Sequence, residues 1–130
     1  TSCKSAGQPA GCAFSVEGTK RADGLAGGPF ADRLRGRAGP DRLRGRGGDD
    51  CINSGDGADR AWGGPGGDAV RGGAGADALR GGPNSDRITA GAGADRIKAR
   101  DGDRDVVRCG RGKDRARLDE QDRSRGCERG

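Results

Sequence analysis

Aspartate recurs along this chain at residues 23, 32, 41, 50, 59, 68, 77, 86 and 95, an unbroken spacing of nine. Two residues after each stands an apolar side chain: Leu25, Leu34, Leu43, Ile52, Ala61, Val70, Leu79, Ile88 and Ile97. Two residues before most of them stands glycine, as at Gly39, Gly48, Gly57, Gly66, Gly75 and Gly93. The clearest copies are consecutive, GGPGGDAVR at 63–71 and GGAGADALR at 72–80. A short fixed period is the signature of a stacked repeat, and the rest of the chain has to be fitted to it.

The period selects an architecture. In each unit three residues such as Ala69, Val70 and Arg71 alternate out, in, out as a short strand does, while the six before them are rich in turn formers. One strand and one turn make half a coil, so two units make an 18-residue coil with strands on opposite sides. The expected fold is all-β: a parallel β-roll, or β-solenoid, of about six 18-residue coils with two short-stranded parallel sheets facing each other across an apolar column.

Composition alone would point elsewhere. With 29 Gly and 5 Pro in 130 residues, aromatics limited to Phe14, Phe30 and Trp62, and 35% charged residues, the chain resembles low-complexity disorder. Periodicity overrides that reading. One apolar residue per unit nevertheless buries too little surface to offset the ordering of nine residues, so something besides a hydrophobic core has to hold the fold.

The domain expectation is an N-terminal cap over 1–17, a β-roll over 18–117 and a C-terminal cap over 118–130. Phe14 and Val16 precede Asp23 and Leu25 by nine and keep the repeat's phase, and 18–26 is a degenerate first unit. After Ile97 one residue is added, and the phase resumes with Asp105, Val107 and Asp114. No apolar run approaches the length of a membrane span, and the chain starts at Thr1 without a signal-peptide pattern, as expected of a processed or excised chain.

The unit GGxGxDxUx resembles the RTX, or haemolysin-type, calcium-binding nonapeptide repeat over about residues 18–117. The resemblance implies that each turn's Asp and loop carbonyls form half a calcium site, completed by the loop one coil on. Carried over residue by residue, one edge holds Asp23, Asp41, Asp59, Asp77, Asp95 and Asp114, and the other Asp32, Asp50, Asp68, Asp86 and Asp105. The chemistry fits independently, because calcium takes six to eight hard oxygens in flexible geometry. Several ions are expected. Without them, stacked carboxylates would repel and turn carbonyls would lack partners, so folding should depend on calcium. Departures at Arg21, Phe30, Arg37, Arg46 and Asn84 mark where ions should be weaker or missing.

The net charge is +5, with Arg outnumbering Lys 21 to 4. Arg33, Arg35, Arg42, Arg44, Arg60, Arg71, Arg80, Arg87, Arg96 and Lys98 flank the apolar positions and point outward. They are candidate contacts for an anionic polymer of the cell surface, or simply solubilise flat β surface. Nucleic acid is disfavoured, because stacking aromatics do not accompany the basic rows.

Cys109 and Cys127 are 18 apart, one coil, and are expected to form a disulfide. The CGRGKD tail also resembles the endings of small secreted bacterial calcium-repeat proteins. Cys3 and Cys12 are expected to close an N-terminal loop, leaving Cys51 free or bridging to another chain; links between the two ends of different subunits remain open.

With no His or Tyr and no nucleophile beside an identifiable base, enzymatic readings have nothing to build on. The expected role is a secreted, calcium-dependent extracellular scaffold or surface protein. The alternatives are a subunit of a head-to-tail filament, a binding module for anionic polymers, or the detached repeat region of a larger exported protein.

Overall fold

The computed structural model describes residues 14–28, 32–99 and 102–129. It is a parallel β-solenoid of about six turns with no helix among the described residues, as the period predicts. Strands are numbered in chain order. The odd strands β1 (Phe14–Glu17), β3 (Asp32–Arg35), β5 (Cys51–Asn53), β7 (Ala69–Ala74), β9 (Arg87–Ala92), β11 (Val106–Arg108) and β13 (Arg123–Arg125) form one seven-stranded sheet in that order. The even strands β2 (Gly24–Ala26), β4 (Arg42–Arg44), β6 (Arg60–Trp62), β8 (Ala78–Arg80), β10 (Arg96–Lys98), β12 (Arg115–Arg117) and β14 (Glu128–Arg129) form the other.

Strands are short because the unit supplies only one inward residue between two outward ones. Ile52 pairs with Val70 and Val70 with Ile88 in one sheet, and Leu43 with Ala61 and Ala61 with Leu79 in the other, all at a separation of one coil. These side chains make a single buried column between the sheets, none of them more than 4% exposed. The residue inserted after Ile97 lengthens one coil, so that Ile88 faces Val107 and Ile97 faces Ala116.

The sheets run past the repeats at both ends. β1 pairs with β3, placing Val16 beside Leu34, and β13 pairs with β11, placing Ser124 beside Val107. Cys109 and Cys127 form the expected disulfide, and Cys109 lies fully buried in the apolar column. The expected Cys3–Cys12 pair lies outside the described residues. Cys51 corrects the sequence expectation, for it is disulfide-bonded rather than left over.

The two turn edges are built differently. On the edge of Asp59, Asp77 and Asp95 the loops continue the sheet: the backbone N–H of Gly57 donates to Ala74, Gly75 to Ala92 and Gly93 to Arg111. Turn carbonyls expected to lack partners are therefore satisfied at these points. On the other edge side chains do the bridging. Asp49 accepts from the Gly67 N–H, Asn84 from Gly66, Asp103 from Asn84 and Asp119 from Gly102.

Turn geometry explains three of the departures, while Arg21 does not share it and Phe30 lies outside the described residues. Arg37, Arg46 and Asn84 have φ of 74°, 73° and 81°, the left-handed conformation that glycine adopts at the matching positions of other units. The loop keeps its shape and the side chain bears the strain, about 1 kcal/mol for an Arg. Arg46→Gly is expected to stabilise the folded protein by about 0.5 kcal/mol, net of the greater freedom of an unfolded glycine. Gly75→Ala should do the opposite and cost more than 2 kcal/mol, since φ is 109° there and a Cβ would collide with the Gly57 carbonyl oxygen. Denaturant melts in calcium measure both, and an Arg46→Gly protein no more stable than the parent would contradict the strain assignment.

Candidate metal centre

Each repeat Asp follows the last turn residue and precedes the strand, so its side chain turns inward at the corner of the coil. From Asp32 to Asp114 these carboxylates are at most 3% exposed. They form two ladders. The backbone N–H of Asp23 donates to Oδ1 of Asp41, and the same bond links Asp41 to Asp59, Asp59 to Asp77, Asp77 to Asp95 and Asp95 to Asp114, at 2.8–2.9 Å. The second ladder runs from Asp32 through Asp50, Asp68, Asp86 and Asp105 at 2.7–2.8 Å. The structure thus brings together, one coil apart, the residues that the spacing assigns to each edge.

The second ladder has one more rung. The Asp105 N–H donates to Oδ1 of Asp122 at 2.8 Å. Asp122 escapes a sequence reading because it follows Asp105 by 17 residues and no GGxG precedes it. The apolar echo two residues later is also lost, since Ser124 stands there.

Oδ1 is thereby engaged, while Oδ2 divides the sites into two kinds. At three of the four ladder ends it is closed off by the residue's own turn: Asp23 accepts from the Thr19 N–H, Asp32 from Gly28 and Asp122 from Asp119. Through the interior, and at the fourth end in Asp114, Oδ2 of Asp41, Asp50, Asp59, Asp68, Asp77, Asp95 and Asp114 is buried with no hydrogen-bond partner. Buried carboxylate oxygens rarely go unsatisfied, and a whole series of them needs a common cause.

The surroundings of Oδ2 point to a cation. A Cβ placed on Gly63 would lie 2.5 Å from Oδ2 of Asp68 and 2.6 Å from the carbonyl oxygen of Gly81 in the next coil. At Gly72 the corresponding oxygens, Oδ2 of Asp77 and the Ala90 carbonyl, are both at 2.6 Å. An unpartnered carboxylate oxygen and a carbonyl oxygen from successive coils thus crowd the space kept open by the missing side chain, and both are hard oxygens of the kind calcium takes. Among the described residues no three acidic or Cys side chains converge on one point, so a cation here would be held by one or two carboxylates with backbone carbonyls. Ser54 replaces the first glycine in the unit of Asp59, and its Oγ is buried and unpartnered too. A hydroxyl in that place is a further oxygen that reading for Gly and Asp alone passes over.

Electrostatics agree. Burial pushes the carboxyl of Asp68 up from the ordinary 3.8 to about 9, with Asp86, Asp50 and Asp49 adding repulsion and the Asp50 N–H opposing it. Burial likewise raises Asp50, Asp59 and Asp95 to about 7 and Asp77 to about 6. Asp41 is raised for the same reason. A carboxylate in such a place is neutralised by a proton or by a cation.

The family model of the RTX calcium-binding nonapeptide repeat (4 copies) matches this sequence over residues 26–61, 62–97 and 80–116. Compared with curated proteins as a whole sequence, the chain has no significant match. Repeats that cover most of its length, wound into a parallel roll around two ladders of buried aspartates, make this chain a member of the RTX calcium-binding nonapeptide repeat family.

Proposed function

We propose that this protein is an extracellular structural β-roll whose folding is driven by calcium, with Oδ2 of the interior aspartates and the carbonyl of the following coil's first turn residue among the ligands. The observation that carries the proposal is the series of buried Oδ2 atoms without a hydrogen-bond partner at Asp41, Asp50, Asp59, Asp68, Asp77, Asp95 and Asp114, those of Asp41, Asp50, Asp68 and Asp77 lying beside a turn glycine whose place a larger residue could not take. Bound calcium supplies the charge and the coordination that these oxygens lack. The chain's own part is to hold each carboxylate rigidly through Oδ1, keep water from it, and offer a carbonyl from the next coil. Binding in this arrangement joins coil to coil, so metal binding and folding are one equilibrium.

Secretion is supported by the Cys109–Cys127 disulfide, which belongs to oxidising compartments. No helix among the described residues is long and apolar enough to cross a membrane. A discrete roll is favoured over a filament, because at three of the four row ends, Asp23, Asp32 and Asp122, the carboxylate is already satisfied by its own turn. A structural rather than catalytic role is supported by the absence of His and Tyr and by the structural use of every repeat Asp.

The test is far-ultraviolet circular dichroism during a calcium titration, with EGTA reversal and a magnesium control. β signal should appear with calcium, vanish with EGTA and fail with magnesium, whose smaller octahedral shell suits these sites poorly. A chain fully folded in EGTA would refute calcium-driven folding. Asp68→Asn separates ligand from spacer: removing the charge should favour the metal-free roll while raising the calcium midpoint several-fold. An unchanged midpoint would remove Asp68 from the ligand set.

The raised carboxyl pKa values fix a pH dependence. The folded, metal-free chain holds protons that the unfolded chain has lost, so its stability is greatest below about pH 4 and falls as pH rises towards about 7. Calcium displaces those protons, and its apparent affinity rises through the same window. Calcium-stripped protein should therefore show more β signal at pH 4.5 than at pH 8, and less calcium should be needed at pH 8 than at pH 6. The reverse trend would mean that the carboxylates are not buried as described.

A further inference from the structure

The two sheets present different outer faces. On the even sheet the first strand positions align Arg42, Arg60, Ala78, Arg96 and Arg115 in one row. The third positions align Arg44, Trp62, Arg80, Lys98 and Arg117 in a second. No strand residue of this sheet from β2 to β12 is acidic. On the odd sheet the outward positions are interrupted by Cys51, Asn53, Ala69, Thr89 and Val106, and Glu17 pairs with Arg35 and Arg37.

The even face is also shaped. Its long side chains wall a groove of about 710 Å³ that follows the stack of strands. At its centre Trp62, 44% exposed, lies between two guanidiniums, with Arg44 5.5 Å and Arg80 5.2 Å from the ring centroid. Cation–π contacts with the indole hold these two guanidiniums in place beside their neighbour in the row, in positions from which they can donate to an anion. Cations in each row recur at strand spacing, roughly 4.8 Å. That periodicity suits a straight polymer carrying an anionic group on each monomer.

We propose that the outer face of β4 to β12 binds a linear acidic polysaccharide, its carboxylate or sulfate groups taken by the two cationic rows on either side of the Arg44–Trp62–Arg80 stack. Single-stranded nucleic acid suits the face less well, because its lone aromatic is already engaged by two guanidiniums and does not provide a series of stacking platforms for successive bases. An anionic bilayer suits it less well too, because no cluster of apolar side chains accompanies the cations.

The test uses the intact chain in calcium, with circular dichroism confirming the fold of every variant, so that loss of binding is separable from loss of the roll. Trp62 is the only tryptophan, and its fluorescence reports directly on the groove. A heparin-derived decasaccharide is the probe; uncharged dextran, a DNA oligonucleotide of similar charge and anionic phospholipid vesicles are the comparisons. The expected result is a change in Trp62 emission with the decasaccharide, weakening steeply with salt. Arg60→Glu with Arg80→Glu and Arg96→Glu should cut affinity at least about tenfold, while the charge-matched set Arg71→Glu, Arg87→Glu and Arg108→Glu on the other sheet should cost about threefold or less. If the first set does not fold, Arg44→Gln with Arg80→Gln replaces it, with an expected loss of about fivefold. Equal losses from both sheets would reduce the effect to net charge and overturn the proposal. So would tighter binding of DNA or vesicles, or no binding of the decasaccharide.

Discussion

The fold depends on one hydrogen bond repeated up each edge: a backbone N–H of one coil donating to the aspartate carboxylate of the next. It does in the turns what ladder bonds do in the strands, and it forces a negative charge into the interior at every corner. Oδ1 is held there by the bond, which leaves Oδ2 with no solvent and, through the interior of the roll, no partner. An isolated buried carboxylate would cost several kcal/mol, and two columns of them about one strand spacing apart make a roll that is incomplete as a purely protein object. The apolar column cannot offset this, having a single residue per unit with alanine at several rungs. Proton or cation is therefore part of the folded state, and a divalent cation has the advantage of drawing on carbonyls from two coils at once.

The two edges meet the same demand with different means. Where Ala74, Gly75, Ala92 and Gly93 supply small residues, the loops lie flat enough to bond backbone to backbone. Where Pro or crowded acidic residues occupy the turn, as in GGDD at 47–50 and GGPNSD at 81–86, the bonds pass to side-chain carbonyls and carboxylates. The side-chain edge holds its turns through groups that could otherwise compete for the cation, and Asp49 in particular adds negative charge next to Asp50 and Asp68. The backbone edge holds its turns through main-chain groups, with Asp56 adding negative charge next to Asp59. Identical spacing of the aspartates therefore does not make the two edges equivalent in affinity.

Much of this is legible in the sequence because the period is strict. Spacing alone assigns Asp41, Asp59 and Asp77 to one edge and Asp50, Asp68 and Asp86 to the other, and puts Cys109 beside Cys127. What spacing cannot carry is conformation that a non-repeat residue adopts to preserve the repeat. Arg37 and Arg46 look like defects in the pattern, yet both take the left-handed turn, since the hydrogen bonds of neighbouring coils outweigh a strain of about 1 kcal/mol. Asp122 is invisible for the converse reason: its turn is short and irregular, and only the three-dimensional register returns its carboxylate to the ladder. Cys51 has no other cysteine at a whole number of coils from it, so the repeat period does not reveal its disulfide.

The separation of charge in this molecule, acidic within and basic without, links the interior to the surface. The net charge of +5 counts the buried carboxylates as ionised. Each calcium ion that enters a ladder adds two positive charges a few ångströms behind a sheet that already faces solvent with arginine, whereas a proton on the same carboxylate adds one. The outward field over β4 to β12 is thus stronger in the calcium-loaded roll than in a metal-free roll, and under the proposed coupling of folding to calcium the unfolded chain presents no ordered rows at all. Any anion that recognises the spacing of those rows is bound more tightly when calcium is present, and by linkage it must favour calcium binding in return. A long acidic polymer laid across several strands would act on several coils together, joining from outside the same coils that the ions join from within.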